Sequence, residues 1–217
     1  MTIRTYLLVA VCSVTVLSFP LALDAATLRV PDQHRTIQAA INTASTGDTV
    51  LVAAGTYHER VTLKPGGTLK SAGDDTQGKL GLKRAEATII DGNFKGAKGA
   101  GVTMAEGSTL DGFTVTGVGK YDDELWKKHY ATLGQEQPHE HIGVPGTAGI
   151  AVIGVGRCQV LYNIVHHIGD TGIAILGVEG RRVSPHVLRN ISYRNPTLQT
   201  CGLHAETSIG RCKDSPG

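Results

Sequence analysis

Residues that could do chemistry are concentrated in one polar segment, residues 121–145, with the sequence YDDELWKKHYATLGQEQPHEHIGVP. His139 and His141 form a His-x-His motif there, and two imidazoles at this spacing are candidate ligands for a divalent metal. Asp123, near the start of the segment, is a candidate catalytic acid or base. Trp126 is the single tryptophan of the chain, and its indole ring is a candidate surface for stacking on a sugar.

A second group of candidate catalytic residues, His166, His167 and Asp170, follows an apolar run that ends at Val165. Two imidazoles and a carboxylate can supply the acid and the base of a proton-transfer reaction. Arg194 follows a later copy of the same run and is a candidate for binding an acidic sugar.

Each candidate also has an interpretation without chemistry. A His-x-His motif in a surface loop is more often solvated than bound to a metal, and no third ligand stands at a diagnostic spacing. Adjacent histidines at a turn are expected to point to opposite sides, which would separate His166 from His167. Trp126 would pack the loop onto the rest of the protein instead of stacking on a sugar.

An internal repeat predicts how these groups are positioned. The segment Gly149–Val152 recurs 23 residues later as Gly172–Ile175, and Val160–Val165 recurs 27 residues later as Val187–Ser192. An earlier copy, Leu110–Val115, precedes Val160–Val165 by 50 residues, which corresponds to one repeat plus an insertion.

Repeats of this length indicate a solenoid in which each coil stacks its short strands on those of the next coil, about 4.8 Å apart. Val115 and Val165 hold equivalent positions, so the 121–145 insertion and the His166/His167 corner should emerge from the same side. Asn163 and Asn190 are also equivalent. Their side-chain amides can bond to the backbone of the next coil, and asparagine tolerates a left-handed conformation. The alternative is that both are ordinary turn residues, and in either case their role is structural.

The residues that precede the repeats predict a helix that caps the solenoid. A helix from Thr36 to about Ala44 would place one narrow apolar stripe on one face. Short β-branched strands follow at residues 50–52 and 61–63, separated by the predicted turn residues Gly55-Thr56-Tyr57. A second short helix is predicted inside the insertion, from about Asp122 to Leu133.

The run TIQAAINTASTGDTVLVAAGTYHERVTL, followed by ATIIDG at residues 87–92, resembles the opening of right-handed parallel β-helix proteins of the pectin-lyase-like group. The resemblance covers residues 28–195. It implies an all-β fold, a right-handed parallel β-helix solenoid with an N-terminal capping α-helix. The group contains pectin methylesterases, periplasmic proteins of copper handling and secreted proteins of no assigned activity. The catalytic motifs of its pectin-degrading enzymes are absent from this sequence, and Tyr57-His58-Glu59 keeps only the Tyr-x-Glu of the first coil.

The sequence divides into three parts. Residues 1–26 are a predicted signal peptide, because the apolar run from Tyr6 to Phe19 is shorter than the about 20 residues that cross a membrane; an uncleaved anchor is the alternative. Residues 27–195 are the predicted β-helix domain. Residues 196–217 contain neither another repeat nor a polar cap, so we expect a truncated or frame-altered product.

Charge and composition exclude a nucleic-acid partner, and the positions of the cysteines indicate their roles. The formal charge of +2 and the absence of a basic stripe argue against a nucleic-acid partner. Cys158, just before a predicted strand, is expected to be a buried structural thiol. Cys201 and Cys212 could pair in an exported protein, although nothing in the sequence requires it.

The sequence therefore predicts a secreted or periplasmic β-helix protein that binds or processes a polysaccharide or cell-surface glycan beside the 121–145 insertion. An enzyme of this kind would be a lyase, hydrolase or epimerase. The alternatives are a non-catalytic structural or binding module and a periplasmic metal-handling protein. No cofactor is predicted, although a divalent metal is compatible with the candidates, and no membrane span is expected after signal cleavage.

Overall fold

The computed structural model describes residues 24–74, 78–93, 97, 99–132, 135, 148–178, 183–193, 195 and 200–201. Within these residues the chain forms sixteen short strands and three helices, so the fold is mostly β. Residues 1–23 of the predicted signal peptide lie outside them, as do most of the 196–217 tail, His139, His141 and Arg194.

The strands, numbered in chain order, form three sheets in which every pairing is parallel. Sheet A contains, in spatial order, β1 (Thr27–Val30), β2 (Thr49–Val52), β5 (Thr68–Ser71), β8 (Thr109–Asp111), β11 (Gln159–Leu161) and β14 (His186–Leu188). Sheet B contains β3 (Gly55–Tyr57), β6 (Thr88–Asp91), β9 (Thr114–Thr116), β12 (Ile164–His166) and β15 (Ile191–Tyr193). Sheet C contains β4 (Val61–Thr62), β7 (Val102–Thr103), β10 (Ala148–Ile153), β13 (Thr171–Leu176) and β16 (Thr200–Cys201).

After β1, the chain visits sheets A, B and C in the same order five times. We call each A–B–C set a rung, and each rung adds one strand to the edge of every sheet. This cyclic, all-parallel arrangement is compatible with a parallel β-helix.

The register of the strands confirms the repeats found in the sequence. Ile150 pairs with Ile173, and Val160 pairs with both Leu110 and Val187. The 23-, 27- and 50-residue steps therefore each correspond to one rung.

One predicted turn is in fact a strand. Gly55–Tyr57 is β3, the first strand of sheet B, and pairs with residues 88–90 of β6. The prediction was wrong because a three-residue strand is held by hydrogen bonds to its neighbour in the next rung, which outweigh the low β-propensity of glycine.

The core is built from side chains that point inward from all three sheets. Sheet A contributes one or two residues of this kind in each rung, and sheets B and C add theirs in most rungs. The largest fully buried side chains of this set include Leu69, Leu110, Ile90, Ile150 and Phe113. One continuous apolar core therefore runs through all rungs, as stacked repeats require.

Helix α1 (Ile37–Thr43) closes the first end of this core, as predicted. Its apolar stripe of Ile37, Ala40 and Ile41 is buried against the first strands. Glu59 explains the Tyr-x-Glu motif, because its carboxylate accepts hydrogen bonds from the Ile37 and Gln38 amides at 2.8 and 2.9 Å. It satisfies two of the amides that a helix N-terminus leaves unpaired.

Gln38 protects the edge of sheet C. Its side-chain oxygen accepts a hydrogen bond from the Thr62 amide at 2.7 Å, and its side-chain nitrogen donates to the Thr62 carbonyl at 3.3 Å. Because β4 is the edge strand of that sheet, the helix covers backbone groups that could otherwise pair with another chain.

Buried asparagines join successive rungs at the corner between sheets A and B, as predicted. Asn163 Oδ1 accepts from the Phe113 amide at 2.9 Å, and Asn163 Nδ2 donates to the Leu110 carbonyl at 3.3 Å. Asn190 repeats the pattern one rung later, accepting from the Asn163 amide at 2.9 Å and donating to the Val160 carbonyl at 2.7 Å. The left-handed backbone lies one residue before each asparagine rather than on it.

That left-handed position is occupied in turn by Gly112, Tyr162 and Arg189, with φ of 84°, 56° and 52°. Asn195 plays a similar role at the corner between sheets B and C. Its Oδ1 accepts from the Ile168 amide at 3.0 Å, and its Nδ2 donates to the Val165 carbonyl at 2.9 Å.

Helix α2 (Lys83–Ala87) covers part of the outer face of sheet B. Leu82 and Ala85 pack there with Ile164. Arg84 is only 3% exposed, and its guanidinium forms an ion pair with Asp111 at 2.6 Å.

We expect Asn163→Ala to lower the free energy of unfolding by about 3 kcal/mol, because the buried Phe113 amide and Leu110 carbonyl lose a partner. Urea unfolding followed by circular dichroism measures the change. Asn42→Ala is the matched control, since its side chain makes an exposed hydrogen bond to Gln38, and it should shift stability by less than about 0.5 kcal/mol. Equal effects of the two substitutions would contradict the structural role of Asn163.

Candidate functional site

Five side chains form an outward-facing column where the strands of sheet B end. They are His58, Asp91, Thr116, His166 and Tyr193, one from each rung. Asp91 pairs with Thr116 and His166 pairs with Tyr193, and the residues before the first three of them, Ile90, Val115 and Val165, belong to the core. Because side chains alternate between the two faces of a strand, this column points away from the core. We refer to it as the sheet B column.

Direct contacts link three neighbouring pairs of the sheet B column. His58 Nδ1 lies 3.2 Å from Asp91 Oδ2, and Asp91 Oδ1 accepts a hydrogen bond from the Asn93 amide at 2.9 Å. Thr116 Oγ1 lies 3.1 Å from His166 Nδ1. The His166 ring lies against Tyr193, with centroids 5.0 Å apart and planes 32° apart. The column thus combines hydrogen-bonding groups with aromatic surface.

His166 and His167 contact each other, so the prediction that they point to opposite sides is wrong. Their Nδ1 atoms are 2.6 Å apart, and their rings are nearly perpendicular, with centroids at 4.8 Å. The physical reason is the left-handed backbone of His167, with φ of 53°, which turns its side chain back toward His166.

The insertion begins next to these histidines. The Tyr121 ring meets the His167 ring edge to face at 5.5 Å, and the Gly169 amide donates to the Val118 carbonyl at 2.7 Å. Residues 118–121 and the corner after β12 are therefore neighbours in adjacent rungs, as the repeat predicted. We call Tyr121, His166, His167 and Tyr193 the corner cluster.

Asp170 lies at the same corner and is half-buried. One of its carboxylate oxygens accepts a hydrogen bond from the Thr171 hydroxyl at 3.4 Å. Thr171 begins β13, so this contact lies where the chain enters sheet C.

Asp123 begins helix α3 (Asp123–Ala131), which confirms the helix predicted in the insertion. Its carboxylate accepts a hydrogen bond from the Tyr121 hydroxyl at 2.9 Å and pairs with Lys127 Nζ at 2.9 Å. Hydrogen bonding to Asp123 raises the pKa of the Lys127 ammonium. Tyr121 thus joins the exposed Asp123 to the corner cluster through its hydroxyl and its ring.

Trp126 is only 3% exposed. A buried indole offers no open face to a sugar, which favours the alternative in which Trp126 packs the insertion. The exposed aromatic surface beside the insertion comes instead from tyrosines that sequence reasoning did not single out, Tyr121 and Tyr193, both half-buried.

His58, Asp91 and Thr116 were also missed as candidates. The signal that could have found them is the repeat itself, extended to the first two rungs: the residue after Tyr57, after Ile90 and after Val115 is polar in each case. Short loops of unequal length hide that alignment, because 33 residues separate His58 from Asp91 and 25 separate Asp91 from Thr116.

In the described part of the chain, no three His, Cys, Asp or Glu side chains gather closely enough to hold a metal ion. The candidate metal ligands His139 and His141 and the candidate binding residue Arg194 lie outside that part. Among the described helices, none has the length and apolar character needed to cross a membrane.

Comparison with known proteins does not assign the chain to a family. No protein-family model matches the sequence, and no curated protein matches it.

Cys158 is buried, with 4% exposure and a free thiol, which confirms its predicted structural character. Burial raises its pKa from 9.0 to about 12, and the nearby Glu106 carboxylate adds to the effect. Since the thiolate is the reactive form, this thiol is a poor nucleophile at neutral pH.

We expect the stability contributed by Cys158 to be lost at high pH. The folded thiol stays neutral while the unfolded thiol ionises, so the contribution is complete below pH 9 and falls as the pH rises from 9.0 toward about 12. Urea unfolding of the parent protein and of Cys158→Ala at pH 8 and pH 10.5 tests this. The stability difference between the two proteins should shrink at pH 10.5; a constant difference would contradict the raised pKa.

Proposed function

We propose that this protein is an exported right-handed parallel β-helix protein that binds or processes a polysaccharide along the sheet B column. The cyclic visits to three parallel sheets and the helix that closes the first end support this architecture. The proposal of polysaccharide binding rests on the sheet B column. It presents one outward side chain from every rung in a straight row.

The spacing of the sheet B column suits a linear polymer. Parallel strands lie about 4.8 Å apart, so five positions span about 19 Å along the stack. A chain of sugars lying in this direction would meet hydrogen-bonding groups on His58, Asp91 and Thr116 and then the ring faces of the corner cluster. Sites that recognise small polar ligands combine apolar surface with a few placed polar groups in this way.

The geometry supports binding better than catalysis. A general acid or base must reach a reacting atom, whereas Asp123 is engaged with Lys127 and Tyr121, and His166 is engaged with Thr116 and His167. The contacts of His166 with Thr116, His167 and Tyr193 hold its ring in orientation, which lowers the entropic cost of binding a ligand. A polysaccharide lyase, hydrolase or epimerase that uses the same residues is the alternative.

Affinity electrophoresis of the full chain in gels that contain polygalacturonate, alginate or a neutral galactan tests the proposal. We expect one of these polymers to retard the protein and Tyr193→Ala to weaken the retention about tenfold, because a ring face is lost. Gln159→Ala is the matched control, since it removes an exposed side chain from sheet A, and it should leave the retention unchanged.

The same samples distinguish binding from catalysis. If no product accumulates while the polymer retards the protein, the binding function stands. Product that disappears in His167→Ala or Asp123→Ala would establish the enzyme alternative instead. Absence of retardation by all three polymers, or equal retardation of the Tyr193→Ala variant and the parent, would overturn the proposed role of the sheet B column.

A further inference from the structure

We propose that His166 and His167 bind a divalent transition metal of the zinc and copper class through their Nδ1 atoms. The two nitrogens face each other at 2.6 Å, and the Thr116 hydroxyl oxygen lies 3.1 Å from His166 Nδ1. Two imidazole nitrogens and one oxygen thus converge at one place on the surface. This site uses different residues from the His139/His141 motif and does not depend on the proposed polysaccharide function.

The backbone at His167 is what brings the rings together. His167 has a φ of 53°, a conformation that residues with a Cβ avoid, and the equivalent position one rung earlier is Gly117, with a φ of 68°. A histidine at a position suited to glycine is unusual, and its effect is to direct one imidazole onto another.

The distance between the nitrogens fits a metal site after a small opening. Zinc–nitrogen bonds of about 2.0–2.1 Å place two tetrahedral ligands about 3.4 Å apart, so the rings would separate by about 0.8 Å. In the metal-free protein a shared proton can bridge the two Nδ1 atoms. A metal would displace that proton on binding, so its affinity should fall as the pH is lowered and the imidazoles are protonated.

The ligand type selects the class of metal. Imidazole nitrogens suit zinc, copper and nickel, whereas calcium and magnesium prefer carboxylate and carbonyl oxygens. Tyr193 lies against the His166 ring and Tyr121 against the edge of the His167 ring, so both imidazoles are held in orientation. With two imidazoles as the protein ligands, the remaining coordination positions would be taken by water or by a ligand.

Isothermal titration of the full chain with ZnCl₂, and electron paramagnetic resonance of the protein loaded with one equivalent of Cu²⁺, test the proposal. We expect one site per chain and a copper spectrum with nitrogen hyperfine structure from two imidazoles. His167→Gly removes one ring while keeping a residue that accepts the positive φ, so the fold should persist. It should weaken zinc binding at least tenfold.

His58→Ala is the matched control, because it removes an imidazole of the sheet B column that is paired with Asp91. It should leave zinc affinity unchanged. The proposal is overturned if His167→Gly binds zinc as tightly as the parent, or if the affinity is lost only in a His139→Ala/His141→Ala variant. Neither metal experiment contains a glycan, so a negative result does not argue against polysaccharide binding. Likewise, a negative result in affinity electrophoresis does not argue against the metal site.

Discussion

Backbone groups at the corners between sheets have to be hydrogen-bonded inside the protein, and the rest of the structure depends on how this is done. Asn163 and Asn190 bridge successive rungs between sheets A and B, and Asn195 does so between sheets B and C. Each side chain bonds to backbone groups of the preceding rung, so it fixes the register as well as satisfying the corner. A register slip of one residue would move the side chains of the sheet B column to the inner face of the sheet, into the core.

The sequence was sufficient to predict the stacking, because the same inward positions recur with the same residue types. Ile150 and Ile173, for example, share a position in sheet C and lie on neighbouring strands. The capping helix could also be predicted, since its apolar stripe has a helical period. The strand at Gly55–Tyr57 could not be predicted, because hydrogen bonds to the next rung decide its conformation, and local propensity does not.

The candidate site was predicted less well, for three physical reasons. Its members come from different rungs separated by loops of unequal length, so their alignment is visible only once the register is known. In addition, the positive φ of His167 reverses the direction of its side chain, and the residue type does not predict that backbone conformation. Burial of Trp126 is a third case, because the surface that covers an aromatic ring is set by tertiary packing.

The most direct test of this account measures the register between adjacent rungs. Gln159 and His186 are exposed partners on β11 and β14, and parallel neighbours lie about 4.8 Å apart, within the range that a disulfide can bridge. In a variant without the native cysteines, Gln159→Cys/His186→Cys should form an intramolecular disulfide. Gln159→Cys/Ser184→Cys, displaced by two residues along the strand, should not form one. Equal oxidation of the two pairs, or oxidation of the displaced pair alone, would contradict the stacked parallel rungs.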